Sequence, residues 1–169
     1  MRRLSRVRRT RPTAELPAVR PKGSEYRRIL VPMRLDDVGG ASVATAVALA
    51  KETGAEVEAV AVVRVPRRFP LEGPLPPDVA QRVDTSLENA RTLGETHGVV
   101  VAAHVVRARS LGHAIVDEAR SRGADLVVLG SSPRWRKRSH LFSPTADFVR
   151  RHAGCEVVVV PPREDVAEE

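Results

Sequence analysis

Aromatic residues make up only 3 % of this 169-residue sequence, so any core has to be filled by Val, Ala and Leu. Such a core suits parallel strands covered by helices on both faces. Cysteine occurs once, at Cys155. An internal disulfide is therefore excluded, and the lone thiol suits a reducing compartment. No apolar run approaches the roughly 20 residues that span a bilayer. The basic start leads into no apolar segment of the kind a secretory signal needs. A soluble, cytoplasmic protein is expected. Also missing are a P-loop and a Gly-x-Ser-x-Gly nucleophile elbow. Neither the His-x-Gly-His nor the Ser-Gly-Gly-x-Asp-Ser motif of adenylating α/β folds occurs. His97, His104, His113, His140 and His152 are scattered, without metal-ligand spacing. Asp117, Glu118 and Asp125 fall on a helix surface and at a strand start, positions that suit structural or solvated roles. No catalytic constellation is legible.

What the chain has in excess is positive charge, +7 overall, and its location matters. Residues 1–28 hold ten basic side chains against two acidic ones, whereas the remainder holds 18 basic and 19 acidic. The high pI thus belongs to a tail and not to the domain. Residues 1–24, with Pro12, Pro17, Pro21 and Gly23 and little apolar content, read as a disordered basic arm. Such an arm attracts acidic protein or anionic membrane surfaces. The lack of interleaved aromatics argues against specific nucleic-acid binding. The globular domain is expected over 25–162, with an acidic tail over 163–169.

Within that domain strand and helix patterns alternate. Ile29–Met33 reads as a continuous, central strand, with Pro32 near its last paired residue because proline lacks a donor. A helix follows over about Ala41–Thr53, with Val43, Val47 and Ala50 inward and Gly54 as its stop. Then come a strand over Val57–Val65, a proline-rich connection and a helix over about Asp78–Leu93 with Gly94 near its end. The pattern continues with a strand over Val99–Val106 and a helix opened by Ser110 and closed by Gly123. A strand over Leu126–Leu129, a helix over about Pro144–His152 capped by Ser143, and a strand over Val157–Val160 complete it. Five strands and four helices at this spacing predict an α/β fold, a Rossmann-like open parallel sheet with helices on both faces.

The stretch Ala124–Thr145 is central to function. A strand buried on both faces ends at Gly130 and opens into a basic loop, then a Ser-Pro helix start. In an open α/β sheet the carboxyl end of such a strand is where small ligands sit. The loop carries Arg134, Arg136, Lys137 and Arg138, and Arg34 and Arg109 are expected at the same edge. Ser131, Ser132 and Thr145 are neutral donors there, and Trp135 is the single tryptophan.

Several segments together resemble the universal stress protein family. They are Ile29-Leu30-Val31-Pro32, Ala-Lys-Glu-Thr-Gly-Ala-Glu-Val at 50–57, Arg-Gly-Ala-Asp-Leu-Val-Val-Leu-Gly at 122–130, and Phe-Val-Arg-Arg-His-Ala-Gly-Cys-Glu-Val-Val-Val-Val at 148–160. The likeness spans about residues 26–161. The part from the proline-rich connection to Arg109 is similar to versions of the domain fused to amino-acid permeases. The resemblance implies strand order 3-2-1-4-5, with a topological switch between the first and fourth strands. It also implies a homodimer paired through the fifth strand, Val157, Val158, Val159 and Val160.

Nucleotide-binding members of the family carry Gly-x2-Gly-x9-Gly-[Ser/Thr] after the fourth strand. Here Gly130 matches the first glycine, while Pro133, Ser143 and Pro144 stand at the other three positions. The acidic residue expected after the first strand falls at Met33-Arg34, unless Asp36 or Asp37 takes its place. Prolines remove amide donors from a phosphate cradle, so ordinary ATP binding is not expected. Taken together, the motif positions and the basic and hydroxyl residues of this edge put the expected ligand contacts at Met33, Arg34, Val63, Arg109, Gly130, Ser131, Ser132, Pro133, Arg134, Ser143, Pro144 and Thr145. Two functional expectations follow. One is a non-catalytic stress-response or regulatory module with a degenerate nucleotide loop and no certain cofactor. The other is a binder of ATP, AMP or another anion, with slow ATPase behaviour at most, that uses the basic loop in place of the glycines.

Overall fold

The structure is a computed structural model that describes residues 26–35, 40–131 and 143–161. The basic arm, Asp36 and Asp37, the loop 132–142 with Trp135, and the acidic tail therefore lie outside the described residues. Five strands form one all-parallel sheet: β1 (Arg28–Met33), β2 (Glu56–Arg64), β3 (Val101–Ala108), β4 (Leu126–Gly130) and β5 (Glu156–Val160). Their order is β3-β2-β1-β4-β5, as the resemblance implied. The helices are α1 (Ala41–Thr53), α2 (Pro77–Thr96), α3 (Leu111–Ser121) and α4 (Pro144–His152).

Two cores flank the sheet. Alternate residues of the central strands (Ile29, Val31, Val57, Ala59, Ala61, Val63, Leu126 and Val128) pack against α1 and α2. The residues between them (Leu30, Val60, Val62, Val127 and Leu129) pack against α3 and α4. This division is why the central strands read as unbroken apolar runs, since each residue has a helix layer over it. Pro32 lies beyond the last residue of β1 registered with β4, Leu30, so its missing N–H interrupts no described pairing on that side. Asp125 ties the base of the sheet together, its carboxylate accepting from the amides of Arg27 (2.8 Å) and Arg28 (3.1 Å).

Two boundaries differ from the sequence reading. Helix α2 continues past Gly94 to Thr96, and the left-handed residue that turns the chain is Gly98 at φ 71°. The Gly94 carbonyl accepts from the amides of His97 and Val99, so Val99 belongs to the turn and β3 begins at Val101. Gly94 does not stop the helix; it lets the strand come close. A Cβ there would meet the Val99 carbonyl oxygen and lie 2.5 Å from Val101 Cγ2.

Sequence reasoning also missed an ionic cluster on the α3 side. Arg122 Nε donates to Glu118 (2.7 Å), its Nη1 binds Glu58 of β2, and its Nη2 meets His104 Nε2 of β3 (2.9 Å). His104 Nε2 lies 3.2 Å from the Glu118 carboxylate. Burial pushes the Glu118 carboxyl up, but hydrogen bonds and charge from Arg122 and His104 outweigh it and hold the group below the ordinary glutamate range. A lowered carboxyl pKa stabilises the fold above the unfolded value of about 4.3 and ceases to do so as pH falls through the folded one. Glu118→Gln should therefore destabilise the protein at pH 7. Urea melts of both proteins should converge as pH falls through the lowered folded value of Glu118; a gap unchanged under acid would refute the assignment.

Candidate functional site

Between β1 and β4 the chain leaves the sheet in opposite directions, toward α1 on one face and α4 on the other. A crevice of about 460 Å³ opens at this switch point. That volume falls in the range of small-molecule sites. Pro32, Met33, Arg34 and Leu35 follow β1 into it, and Leu129 and Gly130 supply the end of β4. Ser143, Pro144, Thr145 and Ala146 come from the start of α4. Val62 and Arg64 from β2 and Leu111 and Ile115 from α3 complete the lining. The apolar side chains make a bed for a flat, weakly polar group, and Arg34 and Arg64 supply positive charge.

The backbone donors are few. Ser143 has an extended backbone and its Oγ accepts the amide of Ala146 at 3.2 Å, as the sequence reading expected of an N-cap. Pro144 has no amide. Of the first three helical residues, Thr145 is left to offer a backbone N–H and a hydroxyl. At the end of β4 the Ser131 amide is bound to the Val160 carbonyl at 2.8 Å, which continues the β4–β5 ladder. Among the described residues the crevice therefore offers no run of converging amides of the kind that encloses a polyphosphate.

Of the residues expected here, Met33, Arg34, Gly130, Ser143, Pro144 and Thr145 line the crevice. Three are placed elsewhere. Val63 packs into the α1–α2 core, because along β2 it is Val62 and Arg64 that face the crevice side. Arg109 reaches back to the carbonyls of Val65 (3.1 Å) and Pro66 (2.6 Å) and braces the proline-rich connection. Ser131 does not line the crevice, its amide being held by β5. Ser132, Pro133 and Arg134 lie outside the described residues. Arg64, Val62, Leu111 and Ile115 were missed. Strand alternation carried the signal for the first two, since Val60, Val62 and Arg64 share a face and Arg64 ends β2 at the ligand edge.

Catalytic chemistry is sparsely represented. Ser110 Oγ and His113 Nδ1 lie 2.9 Å apart, but among the described residues no carboxylate orients that ring, which packs on Phe148 with centroids 4.6 Å apart. Burial, followed by the charges of Asp125 and Glu156, pushes the Cys155 thiol up, which disfavours the nucleophilic thiolate. Among the described residues no cluster of three or more His, Cys, Asp or Glu could hold a metal. Among them, too, no helix is long and apolar enough to cross a membrane.

Against known proteins, residues 25–161 match the model of the universal stress protein family. The chain belongs to that family. A curated universal stress protein of Methanocaldococcus jannaschii is 28 % identical over 140 residues, covering 80 % of this chain and 82 % of the relative. Among solved structures, a universal stress protein of Archaeoglobus fulgidus in complex with dAMP is similar with a TM-score of 0.61 at 19 % identity. It covers 80 % of this chain and 98 % of that one. A universal stress protein in complex with cAMP has a TM-score of 0.61 at 20 % identity, covering 83 % of this chain and all of its own. At these identities the structural likeness establishes the shared Rossmann-like architecture.

Proposed function

We propose that this universal stress protein is a non-catalytic regulatory module whose switch-point crevice takes a small adenosine monophosphate-type ligand. The observation that carries the reading is the crevice itself: an apolar bed beside two arginines, with one free amide among the described residues at the helix start, where a polyphosphate cradle would need several. The Arg64 side chain makes no ion pair or hydrogen bond among the described residues, so its charge is available to a ligand. Two relatives of the same architecture were solved with nucleotide monophosphates, dAMP and cAMP, which supports the ligand class. In this reading binding reports a signal and does not consume the ligand.

The module would work as a homodimer in the cytoplasm. β5 is a sheet edge whose Val157–Val160 are half-buried, and an apolar edge strand of this kind favours pairing with another. The basic arm would serve an acidic protein or anionic membrane surface.

The test is incubation with AMP, cAMP and ATP. AMP and cAMP should raise the melting temperature in proportion to occupancy, and ATP should release no ADP above the buffer rate. Steady ADP release would replace this reading with that of a slow ATPase, and no thermal response to any of the three would leave the crevice without this ligand class.

A further inference from the structure

In the ionic cluster on the α3 side, one imidazole nitrogen faces two groups with opposite demands. His104 Nε2 lies 2.9 Å from Arg122 Nη2 and 3.2 Å from Glu118 Oε2. A guanidinium nitrogen only donates and a carboxylate only accepts. Nε2 must be bare to meet the first and protonated to meet the second, so one of the two bonds is made at a time. The other links of the cluster hold in either case: Arg122 Nε donates to Glu118 at 2.7 Å and Nη1 to Glu58. His104 Nδ1 makes no hydrogen bond among the described residues. None of their buried side-chain nitrogens lacks a partner, so Nδ1 reaches solvent.

Among the described residues, the charged groups at the ring are Glu58 from β2, Glu118 from α3 and Arg122 just after α3. β3 adds none on this face, since Arg107 alternates to the other and donates to the Gly73 carbonyl at 2.7 Å. α2 also lies on that other face, where Arg91 donates to the Ala103 carbonyl at 2.9 Å. Arg28 of β1 and Glu56 of β2 pair with each other at 3.3 Å. Two carboxylates thus face one guanidinium while the imidazole is neutral, and a proton on the ring balances the charge.

We propose that His104 is a proton-operated latch on the C-terminal end of α3. With the ring neutral, Nδ1 carries the proton and Nε2 accepts from Arg122. When the ring takes a second proton from solvent, the Arg122–His104 bond breaks and Nε2–H donates to Glu118. Arg122 then keeps its two carboxylates. The Glu118 carboxyl, held below the ordinary glutamate range, is still ionised to receive the bond. The end of α3 is therefore tied to β3 in both states, through Arg122 in one and through Glu118 in the other. The exchange takes place at the far end of the helix that gives Leu111 and Ile115 to the crevice wall.

The test is long-range nitrogen–proton NMR of the ring nitrogens in the full chain, titrated from about pH 8 to about pH 5, where histidine side chains change charge. His104→Gln identifies its signals among the five histidines. At the upper end the form with bare Nε2 should exceed the other tautomer at least about tenfold. At the lower end both nitrogens should carry protons, and the Arg122 Nε signal should move along the same curve. In Arg122→Ala the neutral ring should carry its proton on Nε2 instead, whereas in Glu118→Gln Nε2 should stay bare. A protonated Nε2 in the parent at the upper end, a ring that takes no second proton, or an Arg122 signal that ignores the titration would each overturn the latch. An Arg122→Ala ring that keeps Nε2 bare would overturn it too. Should that variant fail to fold, the parent titration decides by itself.

Discussion

Replacing Gly94 by alanine should destabilise the protein by about 2 kcal/mol, although alanine is the better helix former. In an exposed helix the change gains about 1 kcal/mol. Here the added methyl meets the Val99 carbonyl oxygen and Val101 Cγ2. A backbone oxygen yields less readily than a side-chain tip, and overpacking of this kind costs about 1–3 kcal/mol or occasionally more. For a chain of this size the melting temperature should fall by roughly 4–8 °C. Thermal and urea unfolding of Gly94→Ala beside the parent decides it, and a neutral or stabilising result would mean that the α2–β3 approach is looser than described.

Arg64→Ala should weaken AMP binding by roughly 10- to 100-fold while leaving the melting temperature of the unliganded protein nearly unchanged. A charge-assisted hydrogen bond contributes about 1.5–3 kcal/mol, and each 1.4 kcal/mol is a factor of ten in affinity. Arg64 lines the crevice and its side chain makes no ion pair among the described residues, so removing it should cost the free fold little. Arg64→Lys should recover part of the affinity, because it keeps the charge but loses the planar fork. Calorimetry on the three proteins measures this directly. Unchanged AMP affinity in Arg64→Ala would remove Arg64 from the site. Arg109→Ala offers a useful contrast: its guanidinium braces Val65 and Pro66, so stability should fall while ligand affinity is affected far less.

These contrasts also mark how far the sequence could be read. The alternation of strands and helices is written in the period of apolar residues, so element order and the parallel sheet were legible, and the strand order came with the family resemblance. Caps at Ser143 and Gly54 were legible because their backbone geometry restricts residue type. The end of α2 was placed at about Leu93, three residues short of Thr96, and nothing in the sequence tells a glycine such as Gly94, required by a crossing strand, from one required by a turn.

The site was legible in position but not in full membership. Met33, Arg34 and Gly130 follow directly from the ends of β1 and β4. Arg64 and Val63 are neighbours in sequence on opposite faces of β2, so a one-residue error in facing moved the expected contact into the core. Arg109 was assigned by charge and edge position alone, and those do not reveal that two backbone carbonyls already hold it. In the Glu58–His104–Glu118–Arg122 cluster the i,i+4 spacing of Glu118 and Arg122 is visible in sequence, but nothing in the spacing brings Glu58 of β2 and His104 of β3 to them before the fold does.

The proposed ligand of the crevice is a nucleoside monophosphate, and the described residues offer no cradle for further phosphates. The most direct measurement is the ratio of AMP to ATP dissociation constants on the parent protein, by calorimetry in one buffer. Pro144 offers no amide, and those of Ala146 and Ser131 are already bound. The β- and γ-phosphates should therefore add less than a tenfold gain, which is less than about one good hydrogen bond. ATP binding tenfold or more tightly than AMP would contradict the account.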